Sequence, residues 1–146
     1  MSAFLLDVNV LVALLWPSHS LHSRAQRWFA AHSKRGWATC PLTEAGFVRI
    51  VSNPAFSSDA LGTREALDLL GMNLDTQFHR FWRDEVSFAD AVKALSMRLS
   101  GHKQVTEAYL LGLASHYDGK LATLDHSLAS LLLPGTPELK LIELIQ

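Results

Sequence analysis

The chain is short of several features, and each shortage removes a class of protein. It has one cysteine, Cys40, so no disulfide can form within it, and a reducing cytoplasm suits it best. A lone cysteine beside a strand end reads as a small buried residue rather than a catalytic thiol. No stretch approaches 18 uncharged apolar residues, which excludes a membrane-spanning helix. The first residues lack a basic segment, and Asp7 interrupts what would be the apolar core of a signal peptide, so none is expected. There is no excess of either charge. Lys and Arg number 13 against 14 Asp and Glu, with seven histidines, which does not suit a constitutive nucleic-acid coat protein but leaves room for an enzyme with a local basic patch. Internal repeats and low-complexity tracts are also missing.

What is present is ordinary globular material. Hydrophobic residues make up 49% and charged residues 18%, enough apolar surface for residues 1–146 to form one domain with a real core. Short apolar runs alternate with helical patterns. Strands are expected at "AFLLD", "WATC", "FHRFW", "KLATLD" and "LKLIEL". Helices are expected over 8–16, 20–36, 42–53, 63–73, 87–101 and 106–119, with a short one over 126–133. Gly36 and Gly119 close two of them, and Pro17 and Pro54 lie just past two others. This alternation predicts an α/β fold, a three-layer α/β/α sandwich around a central parallel sheet, with any ligand site at the carboxyl ends of the strands.

Acidic residues sit where such a site would be. In "FLLDVNVLVALLW", residues 4–16, Asp7 and Asn9 are the two polar residues in an apolar run, and an unpaired carboxylate there is costly. Asp7 ends the first strand, where its side chain can emerge at the rim. Asp125 ends "LATLD" in the same way. Glu44 and Glu107 fall near the starts of the helices after "WATCP" and at "TEAYLLGLA", where a carboxylate can serve simply as a helix-terminal charge, with Thr43 or Thr106 as the cap. Taken together, the four lie on one edge of the predicted fold. Like charges gathered there raise one another's pKa values unless a cation neutralises them. Hard oxygen ligands suit Mg²⁺ or Mn²⁺, which can activate water at a phosphodiester.

With these residues in place, the chain resembles the PIN-domain ribonucleases, and most of all the VapC toxins of bacterial toxin–antitoxin pairs. "FLLDVNVLVALL", "PLTEAGFVRIVSNP", "VTEAYLLGLA" and "LATLD" occur in the family's order, and the resemblance runs from residue 4 to about 142. It implies a Mg²⁺- or Mn²⁺-dependent endoribonuclease leaving 5′-phosphate and 3′-hydroxyl ends. It also implies a cognate VapB-type antitoxin folded over the site, and a homodimer. By the resemblance Asp7, Glu44, Glu107 and Asp125 are catalytic. Asp7, Glu107 and Asp125 would hold the metal, and Asn9, Thr43 and Thr123 would support them. Position 107 departs from the pattern, since the family most often has Asp there. The extra methylene moves the carboxylate by about 1.5 Å, one bond length. Glu107 would therefore bind the ion directly where Asp binds through water, or bind it with altered affinity.

Other groups are weighed against plainer roles. Arg24, Arg27, Lys34 and Arg35, the pair Arg80 and Arg83 around Trp82, and His102 with Lys103 are either solvated faces or phosphate-positioning groups. His19 and His22 are poor ligands for a hard cation. Trp16, Trp28, Trp37 and Trp82 are expected in the core or in a dimer interface before they serve as stacking platforms. Trp28, Phe29, Phe47 and Val51 suggest more apolar surface than one domain buries, and hence a symmetric dimer. Two rival readings stand beside the nuclease. A haloacid-dehalogenase-type phosphatase also opens on a strand ending in Asp, but needs an acid two residues on, where this chain has Asn9. A decayed, non-catalytic PIN-like module would bind RNA or antitoxin without cutting.

Overall fold

The computed structural model describes residues 2–95, 98–99 and 101–146, with the backbone alone for Lys103. Among the described residues five strands and six α-helices form, the helices in pairs between successive strands up to β4. β1 (Phe4–Leu6) leads to α1 (Val8–Leu15) and α2 (His22–His32), and β2 (Trp37–Thr39) to α3 (Pro41–Val51) and α4 (Thr63–Leu74). β3 (His79–Phe81) leads to α5 (Phe88–Ala94) and α6 (Val105–His116), followed by β4 (Lys120–Thr123) and β5 (Ile142–Leu144). The strand order is β3-β2-β1-β4-β5, and every pairing is parallel. The chain therefore runs outward from β1 in one direction, then returns to β1's other side with β4. That reversal, between β1 and β4, is the switch point at which open α/β sheets leave a crevice.

The side-chain alternation of the strands builds two cores. Phe4, Leu6, Trp37 and Ala122 pack with Val10 and Leu11 of α1, Trp28 of α2, Phe47 and Val51 of α3 and Leu70 of α4. Leu5, Ala38 and Leu121 pack on the other face with Ala91 of α5 and Ala108, Leu110, Leu111 and Leu113 of α6. The expected three layers are thus present. The α5–α6 approach is close: a Cβ on Gly112 would come within 2.6 Å of both the Ala91 side chain and its carbonyl. Gly36, at φ +102°, turns the chain from α2 into β2, where a Cβ would meet Arg80 at 2.8 Å.

Several elements are shorter than the sequence pattern suggests. The helix expected over 87–101 is formed over Phe88–Ala94, capped by the Ser87 hydroxyl. Leu95 turns out of it, and Ser96, Met97 and Ser100 lie outside the described residues. Residues 126–133 form a 3-10 turn, His126–Leu131, because the Asp125 side chain takes the Ser127 amide. The last strand begins at Ile142, after a 3-10 turn that opens on Pro137. The apolar residues read as surplus are mostly used inside the chain. Phe47 and Val51 are wholly buried and Trp28 nearly so, with Phe29 half-buried, so they carry no case for a dimer. Trp37 and Trp82 are core residues, and Trp16 rests edge-on against Phe56. No helix among the described residues is long and apolar enough to cross a membrane.

Candidate active site

Register decides which acids meet. Leu5 pairs with Leu121 and Leu6 with Ala122. Asp7 follows Leu6 and hangs its amide on the Ala122 carbonyl at 3.0 Å, which sets its side chain beside Thr123. By alternation Leu5 and Asp7, like Leu121, Thr123 and Asp125, belong to the α5–α6 face. α6 begins on that same face with Glu107 as its third residue.

Asp7 is 3% exposed, and both its oxygens are engaged. Oδ1 accepts the Val8 amide at 2.8 Å, capping α1. Oδ2 accepts the Thr123 hydroxyl at 2.9 Å. Having given its proton to Asp7, Thr123 Oγ1 accepts from the Asn9 amide at 3.4 Å and from the Asp125 backbone N–H at 3.1 Å. Asn9 Oδ1 takes the Leu124 N–H at 3.3 Å. A single hydroxyl therefore ties together residues 7, 9 and 125. Burial pushes the Asp7 carboxyl up to about 6. The Thr123 bond opposes that shift, while the Glu107 and Asp125 charges reinforce it.

Asp125 Oδ1 accepts the Ser127 amide at 2.9 Å and its hydroxyl at 2.7 Å. Glu107 is the unsettled member, for its Oε2 is buried with no hydrogen-bond partner. A buried, unpaired carboxylate oxygen is expensive and calls for a cation or a proton. A cavity of about 450 Å³ opens at these two residues, rimmed by His102 and Gln104 over an apolar floor of Leu128 and Leu131. Among the described residues no three His, Cys, Asp or Glu side chains stand close enough to hold a metal as they are. The donor set is nonetheless all hard oxygen, with one buried oxygen left unpaired.

Glu44 is placed differently. Its Oε2 accepts the Thr39 hydroxyl at 2.7 Å, and Thr39 Oγ1 lies 2.8 Å from His79 Nε2. Thr39 alternates with Ala38 and so belongs to the Trp37 face of β2, away from α6. The charges that raise Asp7 are those of Glu107 and Asp125. Glu44 instead lines a shallow groove between α3 and α4 with Val48, Arg49 and Leu67. Thr43 does not reach a carboxylate. Its hydroxyl accepts the Cys40 amide at 3.0 Å and serves the start of α3, where Cys40, and not Thr43, is the cap. Thr106 is not a cap either, since α6 starts from Gln104. Thr39 and His79 are the polar residues that sequence reasoning passed over. The available signal was a threonine at a strand end five positions before Glu44.

The basic groups scatter. Lys34 and Arg35 precede β2, at the amino edge of the sheet, opposite the carboxylates. The Arg35 guanidinium lies 4.7 Å over the Phe4 ring, with a buried Nε that has no partner. Arg24 is half-buried and Arg27 exposed on α2, and Arg80 and Arg83 are exposed around buried Trp82. His102 borders the cavity, and the Lys103 side chain lies outside the described residues. His19 and His22 are taken up locally: His19 Nδ1 accepts the Leu21 amide, and His22 Nδ1 contacts the Ala13 carbonyl at 2.8 Å. Cys40 is fully buried, and burial pushes its thiol pKa up, which leaves it inert as a nucleophile.

Comparison with known proteins places the chain in a family. No protein-family model matches the chain. Curated relatives do. Ribonuclease VapC44 of Mycobacterium tuberculosis is 45% identical over 131 residues, covering 90% of this chain and 92% of the relative. Ribonuclease VapC39 of the same organism is 42% identical over 134 residues, covering 92% and 96%. Ribonuclease VapC38 is 45% identical over 135 residues, covering 91% and 94%. Among solved structures, that of FitAcB from Neisseria gonorrhoeae superposes with a TM-score of 0.60 over 98% of this chain and 96% of its own, at 14% identity, a likeness of fold alone. With relatives this similar along nine-tenths of its length, and acids at the rim of a parallel sheet, the chain belongs to the VapC family of PIN-domain ribonucleases.

Proposed function

We propose that this chain is the toxin of a VapBC-type pair: a cytoplasmic endoribonuclease of one domain that needs Mg²⁺ or Mn²⁺, works as a homodimer, and is held silent by a cognate antitoxin. The observation that carries the reading is the buried Asp7, whose carboxyl is pushed up by burial and by two neighbouring acids at the β1–β4 switch point. Such an arrangement destabilises the protein by itself and gains its use from a cation.

Asp7, Glu107 and Asp125 would hold the ion. Asp7 would have to share with it oxygens that Val8 and Thr123 now bind, while Asp125, whose Ser127 contacts fall on Oδ1, and Glu107 Oε2 need no such exchange. A divalent cation bound there supplies positive charge to the scissile phosphate and acidity to the attacking water. Thr123 and Asn9 keep the Asp7 carboxylate oriented, as outer residues do for metal ligands. Glu44 is assigned to the reaction by the family resemblance, as an acceptor for the proton that water gives up, and it lines the α3–α4 groove and not the cavity at Glu107 and Asp125. Leu128 and Leu131 exclude solvent from the cavity floor.

An acidic cluster of this kind attracts a cationic partner, so the antitoxin is expected to deliver an Arg or Lys beside the acids in competition with metal. A phosphatase of the haloacid-dehalogenase type is disfavoured, because the position two residues after Asp7 holds an amide already bound to Thr123 and Leu124. The deciding experiment is turnover of total RNA by the purified chain with Mg²⁺, with Mn²⁺ and with chelator. Cleavage that chelator stops supports the reading, and RNA binding without cleavage would establish the decayed module instead. Light scattering that reports a monomer at micromolar concentration would remove the homodimer.

A further inference from the structure

The structure contains a polar chain that the family reading leaves unused: the contacts from His79 through Thr39 to Glu44. We propose that Thr39 and His79 are positioning residues that act through Glu44, fixing one carboxylate oxygen so that the other is presented to the reaction. The proposal rests on Glu44 being part of the nuclease site.

The geometry gives the chain a direction. Thr39 Oγ1 has one hydrogen and two close partners, Glu44 Oε2 at 2.7 Å and His79 Nε2 at 2.8 Å. An ionised carboxylate only accepts, so the hydroxyl proton goes to Glu44. Oγ1 then accepts from His79, which places the imidazole proton on Nε2. Burial holds the His79 pKa below its ordinary value, so the ring is neutral and has one proton to place. The Leu74 backbone is a competing acceptor for a proton on that ring. Thr39 is wholly buried, so losing both contacts would strand its hydroxyl out of water. His79 is itself fixed, its ring 4.7 Å from that of Trp37, the residue it pairs with in the sheet. The carboxylate on the flexible glutamate stem is thereby tied to two adjacent strands. Among the described residues nothing bonds Glu44 Oε1, which stays available.

The experiment compares Thr39→Val, Thr39→Ser, His79→Phe and His79→Gln, each alone and combined with Glu44→Gln, by initial rate of total-RNA cleavage at saturating Mg²⁺, with melting temperature as the check on folding. Val and Phe should lower the rate by about tenfold or more, the scale seen when an orienting partner is removed. Ser and Gln, which keep a hydroxyl and an N–H donor at the same points, should restore it. In the Glu44→Gln background, Thr39→Val should cost nothing further. Folded Val and Phe variants that cut at the wild-type rate, or losses that multiply with Glu44→Gln, overturn the proposal. Nitrogen-15 NMR of the histidines supplies a readout apart from activity. A proton on Nε2 of His79 that moves in Thr39→Val is expected, and a proton on Nδ1 in the wild type overturns the chain even if the Val variant fails to fold. A wild-type protein that cuts no RNA would instead sink the ribonuclease reading itself.

Discussion

Glu44 and the Asp7 cluster sit at the same edge of the sheet, yet they stand in different electrostatic conditions. Glu44 is half-buried and has a buried hydroxyl aimed at one oxygen. Asp7 is almost wholly buried, with Glu107 and Asp125 both adding to its cost, and Glu107 keeps an oxygen with no partner at all. One region is satisfied without an ion and the other is not. On the proposed reading the two would divide the work: ligands whose repulsion a cation relieves, and a carboxylate held in place by a neighbouring hydroxyl.

The sharpest break in this contrast is Asp7→Asn. It should lower metal-dependent RNA cleavage by on the order of 10²–10³-fold or more, the scale of removing one preorganised electrostatic group, while raising the melting temperature of the metal-free protein. The sign follows from the pKa. Asp7 ionises at about 6 when folded against 3.8 ordinarily, so the folded state holds the proton longer. The ionised side chain therefore destabilises the fold progressively as pH rises from about 4 to 6, and fully above that. At roughly 1.36 kcal/mol per unit, the variant gains at most about 3 kcal/mol at neutral pH and nothing below pH 4. Melting curves at pH 4 and pH 7.5 check this, and an unfolded variant would reduce Asp7 to the cap of α1. Glu44→Gln should lower activity while leaving the protein folded, which a melting curve checks.

Metal should divide the two regions next. Mg²⁺ at a hundredfold over its dissociation constant stabilises a protein by about 2.7 kcal/mol through mass action. The wild type and Glu44→Gln should gain comparably in a thermal-shift titration, whereas Asp7→Asn and Glu107→Gln gain less. Equal gains in all four would break the comparison. Thr123→Val, which removes the hydroxyl shared by residues 7, 9 and 125, should cost about 10–100-fold in cleavage or metal affinity. The smallest effect belongs to Thr43→Ala. It should cost about 1 kcal/mol of stability, as a lost helix-start contact does, and leave the rate per folded molecule unchanged, which activity normalised to folded protein would test.

Much of this was open to reading in the chain itself. Alternating apolar runs and helical patterns give the parallel α/β sandwich, because a strand buried on both faces must be apolar throughout and must be covered by helices. An aspartate inside "FLLDVNVLVALL" could be singled out because nothing in the run explains it. The ends of α5 and the C-terminal 3-10 turns were not legible, since they depend on what Ser87, Asp125 and Pro137 do to a single turn of backbone. Thr43 was misplaced for a similar reason. Sequence distance puts it beside Glu44, but on a helix consecutive side chains diverge by about 100°, and the hydroxyl turned inward to Cys40.

By itself the sequence determined the fold class and the family, because hydrophobic periodicity and the order of four motifs are local properties that survive without knowing who touches whom. Only the tertiary structure decided which acids act on one another. That followed from register: with Leu5 against Leu121, Asp7 meets Thr123 over α6, while Thr39, one alternation out of phase with Ala38, carries Glu44's partner to the opposite face. A strand shows its neighbour one face per residue, so a shift of one position would have exchanged these partners, and no reading of composition or spacing contains that choice.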